Sequence, residues 1–290
     1  MLSGLIRSMR PRQWTKNVFV FAALVFDKQL LIPESFVRTL AGFVLFCLVS
    51  SSVYIFNDIA DIDADREHPQ KRRRPIPSGK LPLSVAWIAG TGLVLVSLVG
   101  GYLLSTAFAL VVAAYFLLNI AYSKWLKHVL IVDVLVLAAG FVLRVDAGVR
   151  LIHVERFSPW LYVVMTLLAL YLGFGKRRAE LALLAHGAGS HRKVLQGYTI
   201  RLLDQYILIV TGMTIIGYAL YTFSAPNVPA NHSMMLTIPF VVYAIFRYLY
   251  LIEVENSGGE PEEILLTDRP FQVSMLLWAV AVVMVFYLSR

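Results

Sequence analysis

Charge is scarce in this chain of 290 residues: Asp, Glu, Lys and Arg together make up 15% of it, against 58% hydrophobic residues and a mean hydropathy of +0.70. So few ionised groups cannot cover a globule of this length, which excludes an ordinary water-soluble domain. Cysteine is nearly absent. The single Cys47 lies inside an apolar run, so neither a disulfide framework nor a cysteine metal site is available. Acids are the scarcer sign, 18 against 26 basic residues, for a formal charge of +8.

What the chain has instead is apolar runs, near 18–32, 36–56, 82–104, 105–122, 129–150, 158–175, 202–223, 234–252 and 270–289. About 20 mostly apolar residues cross a bilayer as a helix. Runs this continuous are not the alternating strands of an outer-membrane barrel, and a lipid-exposed backbone must satisfy its own hydrogen bonds. The expectation is an all-α, polytopic membrane protein of about nine transmembrane helices, with residues 1–290 forming a single transmembrane domain. Arg7, Arg10, Arg12 and Lys16 precede the first run and no small-residue cleavage site follows it, so the N-terminus does not read as a cleavable signal.

The placement of basic residues sets the orientation. With the N-terminus in the cytoplasm, 19 of the 26 Lys and Arg fall on the inner side. Lys28, Arg38, Arg150, Arg156 and Arg290 fall outside, and Arg144 and Arg247 lie within apolar runs. This matches the positive-inside rule for the inner (cytoplasmic) membrane, and the basic charge needs no nucleic-acid partner to explain it. Outer connections are short, and the one at Leu104–Ser105 is nearly absent. The inner loops 57–81 and 176–201 follow the second and sixth runs, comparable places that suggest a weakly duplicated half. Gly79, Gly187, Gly189, Gly258 and Gly259, with Pro75, Pro77, Pro82 and Pro261, mark turns in these loops.

The densest chemistry is NDIADIDADREHPQKRRRPIP, residues 57–77. Asp58, Asp61 and Asp65 are spaced i, i+3, i+7, which predicts one face of a continuing helix, with Asp63 and Glu67 turned away. Three carboxylates on one face repel unless a cation sits among them, and hard oxygen donors suit Mg²⁺. The competing reading is a solvated helix end whose acids pair with Arg66 and Lys71.

Asn57, Asp58, Asp61 and Asp65 match the first aspartate-rich motif of the UbiA superfamily of intramembrane prenyltransferases, and the whole chain resembles that superfamily. The resemblance implies helices around a central, lipid-open cavity, and Mg²⁺ on the aspartates binding a diphosphate. Most members carry a second acidic motif after the sixth span. Here that place reads YLGFGKRRAELALL, with Lys176, Arg177, Arg178 and Glu180, followed by GYTIRLLDQY with Tyr198, Arg201 and Asp204. Together with RPRQWTKN, DADREHPQKRRRPI and GGEPEEILLTDR, this is similar to the phosphoribosyltransferase branch of the superfamily. That branch implies transfer of 5-phosphoribose from phosphoribosyl pyrophosphate to a polyprenyl (decaprenyl) phosphate, with release of pyrophosphate. Three anionic groups then converge, and exchanging acids for cations is the change such a site needs.

On this reading Asp58, Asp61 and Asp65 are the metal ligands, and Asp58, Asp61 and Lys176 carry the catalysis. Lys16, Asn57, Arg66, Lys71, Arg72, Tyr122, Lys124, Arg177, Glu180, Arg201, Asp204 and Arg247 are expected to bind substrate. Arg73 and Arg74 are read as solvated. No histidine is assigned a catalytic part, because the acceptor phosphate is already ionised; His68, His128, His186 and His191 read as interfacial. Arg144 and Arg247 are costly inside apolar runs and therefore paired or functional, with Asp133 a candidate partner of Arg144. The segment carrying Glu262, Asp268 and Arg269 reads as a lid or a plain loop. GFGK lacks the length and the Ser/Thr of a P-loop. Two rival functions remain: a prenyl diphosphate joined to an aromatic acceptor, and a transporter or channel whose basic loops are only topological. A homo-oligomer in the bilayer is compatible with either.

Overall fold

The computed structural model describes residues 1–154, 158–185, 193–255 and 261–287, and among them it is helical, with no strand. Seven helices are long and apolar enough to cross a membrane. Among the described residues they are α3 (Pro33–Ala60), α5 (Leu83–Leu104), α6 (Thr106–Lys124), α8 (Pro159–Ala185), α9 (Ile200–Ser224), α10 (Ile238–Glu253, which spans together with the 3-10 turn Ser233–Thr237 before it) and α12 (Arg269–Tyr287). The shorter helices are α1 (Leu2–Met9), α2 (Ala22–Phe26), α4 (Ile62–Glu67), α7 (Val132–Val149) and α11 (Pro261–Thr267).

The two remaining runs expected to span depart from that pattern for identifiable reasons. Residues 18–32 do not make one α-helix: Pro11–Phe21 winds as a 3-10 helix before the short α2. Thr15, Asn17, Val18, Phe19, Val20 and Phe21 are all mediocre α-helix formers, and the segment is tied by its side chains to α3. The run at 129–150 becomes α7, which carries Asp133, Arg144 and Asp146 in its 18 residues. It begins only after Ile131, whose φ of 68° is left-handed.

The chain forms two compact units. The first comprises Met1–Leu24, Gln29–Trp125 and Leu143–His153; the second comprises Val25–Lys28, Leu126–Val142 and Val154–Arg290. In the first, α3 is the central element: 56% of its most apolar window is buried, against 22% for α5 and α6, whose outer residues such as Ile88, Leu103 and Leu110 are left for lipid. Pro33 at its first turn and Glu34 beside it start α3 in the manner helix N-termini favour. Its core contacts are Phe46, Val49 and Val53 against Val20, Phe108, Val112 and Tyr115. Gly148 permits the closest approach, since a Cβ there would lie 2.0 Å from the Val20 carbonyl oxygen. The α5–α6 link is the single residue Ser105, whose hydroxyl caps α6 by accepting from the Phe108 N–H at 3.4 Å.

In the second unit α8 packs along α9, and α10 along α12. Val134, Tyr171, Phe174, Leu203, Ile207, Tyr248 and Ile252 are members of its core. Thr199 caps α9 by accepting from the Leu202 N–H at 3.1 Å.

Candidate active site

The aspartate stretch does not continue as one helix. Backbone dihedrals of −99° and 14° at Asp61 end α3 and start α4 there. The expected single face of Asp58, Asp61 and Asp65 is therefore replaced by a bend. The break brings Asp58, in the last turn of α3, and Asp65, in α4, to one cation, while Asp61 sits half-buried at the bend. Asp63 and Glu67 are exposed, and Arg66 pairs with Asp63 at 3.3 Å on the surface rather than with the buried acids.

The shared cation is Arg74. One of its nitrogens, Nη1, lies 3.1 Å from Asp58 Oδ1 and 2.6 Å from Asp65 Oδ2. Arg10 adds a second guanidinium, 2.5 Å from Asp58 Oδ1 and stacked 4.8 Å over the Tyr54 ring. Lys71 stands 3.8 Å from Asp65 Oδ1. Both carboxylates are only 2% exposed. Asn57 is fixed beside them, its side-chain oxygen accepting from the Ser123 hydroxyl at the end of α6. Of the expected site residues, Asp58, Asp65 and Lys71 gather around Arg74, and Asn57 directly precedes Asp58. Arg74, expected in solvent, is instead the bridge, because Pro75, Ile76 and Pro77 behind it are buried and drag it inward. Arg10 was not foreseen. Arg72 and Arg73 are exposed.

Removing this bridge should be costly. With the guanidinium gone, Asp58 keeps Arg10 and Asp65 keeps only the more distant Lys71, and the Arg74 side chain is itself 32% exposed, so Arg74→Ala is expected to lose about 1–3 kcal/mol, less than deletion from a fully buried pair. Arg72→Ala, at an exposed position, should stay within about 0.5 kcal/mol. Thermal unfolding of the two variants in one detergent compares them directly.

The donors fit a divalent cation in kind. Mg²⁺ is commonly held by one or two carboxylates, waters and substrate phosphates, and here two buried carboxylates already converge on a single positive group. The expected trio is not assembled: among the described residues no group of three His, Cys, Asp or Glu is placed to hold a metal.

The second unit holds the basic motif of α8, and its cations are largely matched by acids. Arg177 is 1% exposed, with Nε 2.7 Å from Asp133 Oδ2 and Nη1 bonded to Glu180. Its expected contact with substrate is not carried by this geometry, which commits the guanidinium to internal partners. Asp133, fully buried, also accepts from the Tyr198 hydroxyl at 2.9 Å. Burial pushes the Tyr198 phenol well above its ordinary pKa, which keeps it protonated and donating. Arg178 bonds Asp204 at 2.6 Å and the Ile252 carbonyl at 3.3 Å. Arg247 grips Asp268 through two nitrogens, at 3.2 and 2.7 Å, and that hydrogen bonding holds the Asp268 carboxyl below the usual range. Lys176 is half-buried and Arg201 exposed.

Among the remaining expected residues, Lys16 and Tyr122 are half-buried, and Lys124 is exposed 5.8 Å over the Trp125 ring. Arg144 does find partners, but they are Asn17 Oδ1 and the Tyr115 hydroxyl, both at 2.9 Å, while Asp133 serves Arg177. The His68 ring accepts from the Gln70 and Lys71 N–H groups in a turn. His186, His191, Gly187, Gly189, Gly258, Gly259, Arg156 and the Glu262 side chain lie outside the described residues. A polar concavity of about 400 Å³, lined in part by Glu34, Arg38, Arg150 and His153, opens at the end of α3 away from Asp58 and holds none of the expected residues.

Comparison with known proteins places the whole chain. A family model described as the UbiA prenyltransferase family matches residues 17–262. Decaprenyl-phosphate phosphoribosyltransferase of Mycolicibacterium smegmatis is 36% identical, over 96% of this chain and 91% of that protein. The protein of the same name from Mycobacterium tuberculosis is 34% identical, over 97% and 94%. A UbiA homolog from Archaeoglobus fulgidus bound to GPP and Mg²⁺ superposes with a TM-score of 0.74 at 18% identity, covering 98% of this chain and 99% of that one. The same homolog bound to Cd²⁺ gives 0.72, again at 18% identity, over 98% of this chain and 99% of its own.

Proposed function

The chain belongs to the UbiA prenyltransferase family, and on that footing we propose that it transfers 5-phosphoribose from phosphoribosyl pyrophosphate to a polyprenyl phosphate. The observation that carries the proposal is the near-full-length similarity to relatives named for this reaction. The basic motif at the inner end of α8 supports it.

In the proposed reaction the bond from ribose C1 to the pyrophosphate oxygen breaks, and the electron pair leaves with pyrophosphate. A non-bridging oxygen of the acceptor phosphate then forms the new bond to C1. The acceptor is already anionic, so no side chain has to remove a proton. The chain's task is to bind, align and exclude water. Asp58 and Asp65, with Asp61 beside them, would hold the divalent cation. When bound, such a cation offsets negative charge developing on a leaving pyrophosphate. Lys71 and Arg74 stand ready to take phosphate oxygens, Arg74 as a planar fork and Lys71 as a point charge. Lys176 and the exposed Arg201 are proposed to take further phosphate charge. The abundance of Lys and Arg over 57–81 and 176–201, where α3 and α8 end, supports a site facing the cytoplasm; the second stretch, expected as a loop, starts inside α8 and reaches α9.

The test is direct. Purified protein with labelled phosphoribosyl pyrophosphate, polyprenyl phosphate and Mg²⁺ should give a lipid-soluble labelled product and free pyrophosphate, and neither when the lipid or the Mg²⁺ is left out. Consumption of a labelled prenyl diphosphate onto an aromatic acceptor, with phosphoribosyl pyrophosphate ignored, would overturn the proposal in favour of the other family chemistry.

A further inference from the structure

We infer that Asp133 and Tyr198 are positioning residues that set the α8 basic motif for its anionic substrate, an inference that rests on the transfer reading above. Neither residue is placed to do chemistry. Asp133 is fully buried and Tyr198 is 4% exposed. What they do is join three separate stretches of the second unit: the turn before α7, the inner end of α8, and the 193–198 segment leading to α9.

Both carboxylate oxygens of Asp133 and the Tyr198 hydroxyl are used. Asp133 Oδ2 takes Arg177 Nε at 2.7 Å, and Oδ1 takes the Tyr198 hydroxyl at 2.9 Å. The same hydroxyl accepts the Ile131 N–H at 2.9 Å. Ile131 is β-branched and has a φ of 68°, a conformation such residues adopt only when their surroundings impose it. The Tyr198 hydroxyl holds the Ile131 N–H at this turn and, through Asp133, connects it to Arg177 of α8.

A buried ion pair of this kind is poor evidence for stability, since apolar residues of similar volume often do as well. Its distinctive contribution is directional. Arg177 is fixed on one side by Asp133 and on its own helix by Glu180. Two residues earlier, a Cβ at Gly175 would lie 2.8 Å from Ile252 Cδ1, so α8 is also pressed tightly on α10. α8 is thus held at two points within one turn, which resists rotation there. Lys176 and Arg178 follow Arg177 at about 100° to either side, so the direction of each is set by how Arg177 is seated.

The experiment uses the full chain in detergent and the conservative change Tyr198→Phe, with Asp133→Asn as the second variant. Amide exchange should quicken at Ile131 and over 175–180 in both, and stay unchanged in α12. The KM for phosphoribosyl pyrophosphate should rise about tenfold, the size of one hydrogen bond to a charged group, with kcat within about twofold. Combining Tyr198→Phe with Lys176→Ala should raise KM no further than Lys176→Ala alone, because both act through one side chain. Unchanged exchange over 175–180, or KM effects that simply multiply, would remove the positioning role. A wild-type protein that ignores phosphoribosyl pyrophosphate defeats the transfer reading alone, and the exchange data still decide the junction.

Discussion

Arg177→Ala is expected to be the most destabilising single substitution in the second unit, at about 3–5 kcal/mol, the loss seen when one member of a buried ion pair is deleted. Against a typical total of about 5–15 kcal/mol, that places the variant at the edge of folding. The cost comes from what is left behind. Asp133 would remain fully buried with only the Tyr198 hydroxyl to answer its charge, and the space of a guanidinium and its stem would stand open in close-packed surroundings. Arg177→Lys keeps the charge but loses the fork that reaches Asp133 and Glu180 together, so it should recover only part of the loss. The double change Asp133→Leu with Arg177→Met removes both charges and should recover most of it. Unfolding midpoints measured in one detergent would sink this account if Arg177→Ala moved them no more than a substitution at exposed Arg72.

That Arg177 is internal was harder to read than the spans. Apolar runs announce transmembrane helices because lipid asks only for length and hydropathy, and α3, α5, α6, α8, α9, α10 and α12 all appear where the runs fall. Lys176, Arg177 and Arg178 stand together in the basic motif, and Lys176 and Arg177 are both expected at the substrate, yet three successive residues on a helix point in directions spread over about 200°. They cannot all face one ligand. The cue in the sequence is that Phe174, Gly175 and Ala179 around them are apolar or small, and the structure buries all three together with Arg177.

The aspartate cluster was legible in its members and illegible in its shape. Asp58 and Asp65 were found because carboxylates are rare in this chain and these lie together. Their meeting on a bend, rather than on one helical face, depends on the backbone of Asp61, and nothing in N-D-I-A-D forces a break there. Lys71, Arg72, Arg73 and Arg74 look alike in composition, and only the fold chooses among them. The cue lies just beyond: Arg74 precedes Pro75 and Arg10 precedes Pro11, and a residue before proline is steered away from the α-helical region. Both side chains leave such positions to meet Asp58. Arg144, expected to be paired or functional with Asp133 as a candidate partner, is hydrogen-bonded instead to Asn17 and Tyr115, which come from elements that no spacing rule connects to it.

Asp58→Asn should lower the proposed Mg²⁺-dependent transfer by about three orders of magnitude, while leaving the protein folded. The amide keeps the size and one oxygen acceptor, so Arg10 and Arg74 retain a hydrogen-bond partner, and Arg74 retains its contact with Asp65 at 2.6 Å. What disappears is one of two buried negative charges available to a divalent cation. A metal ion supplies several kcal/mol of charge stabilisation to a phosphoryl leaving group, and each 1.36 kcal/mol is about a factor of ten in rate. Asp63→Asn is the matched comparison, since Asp63 lies two residues from the bend but is exposed and pairs only with Arg66. It should change the rate less than about twofold. If the two asparagine variants turned over phosphoribosyl pyrophosphate equally well at saturating Mg²⁺, the buried acids would be a structural knot tied by Arg74, and the cation would have to be held elsewhere.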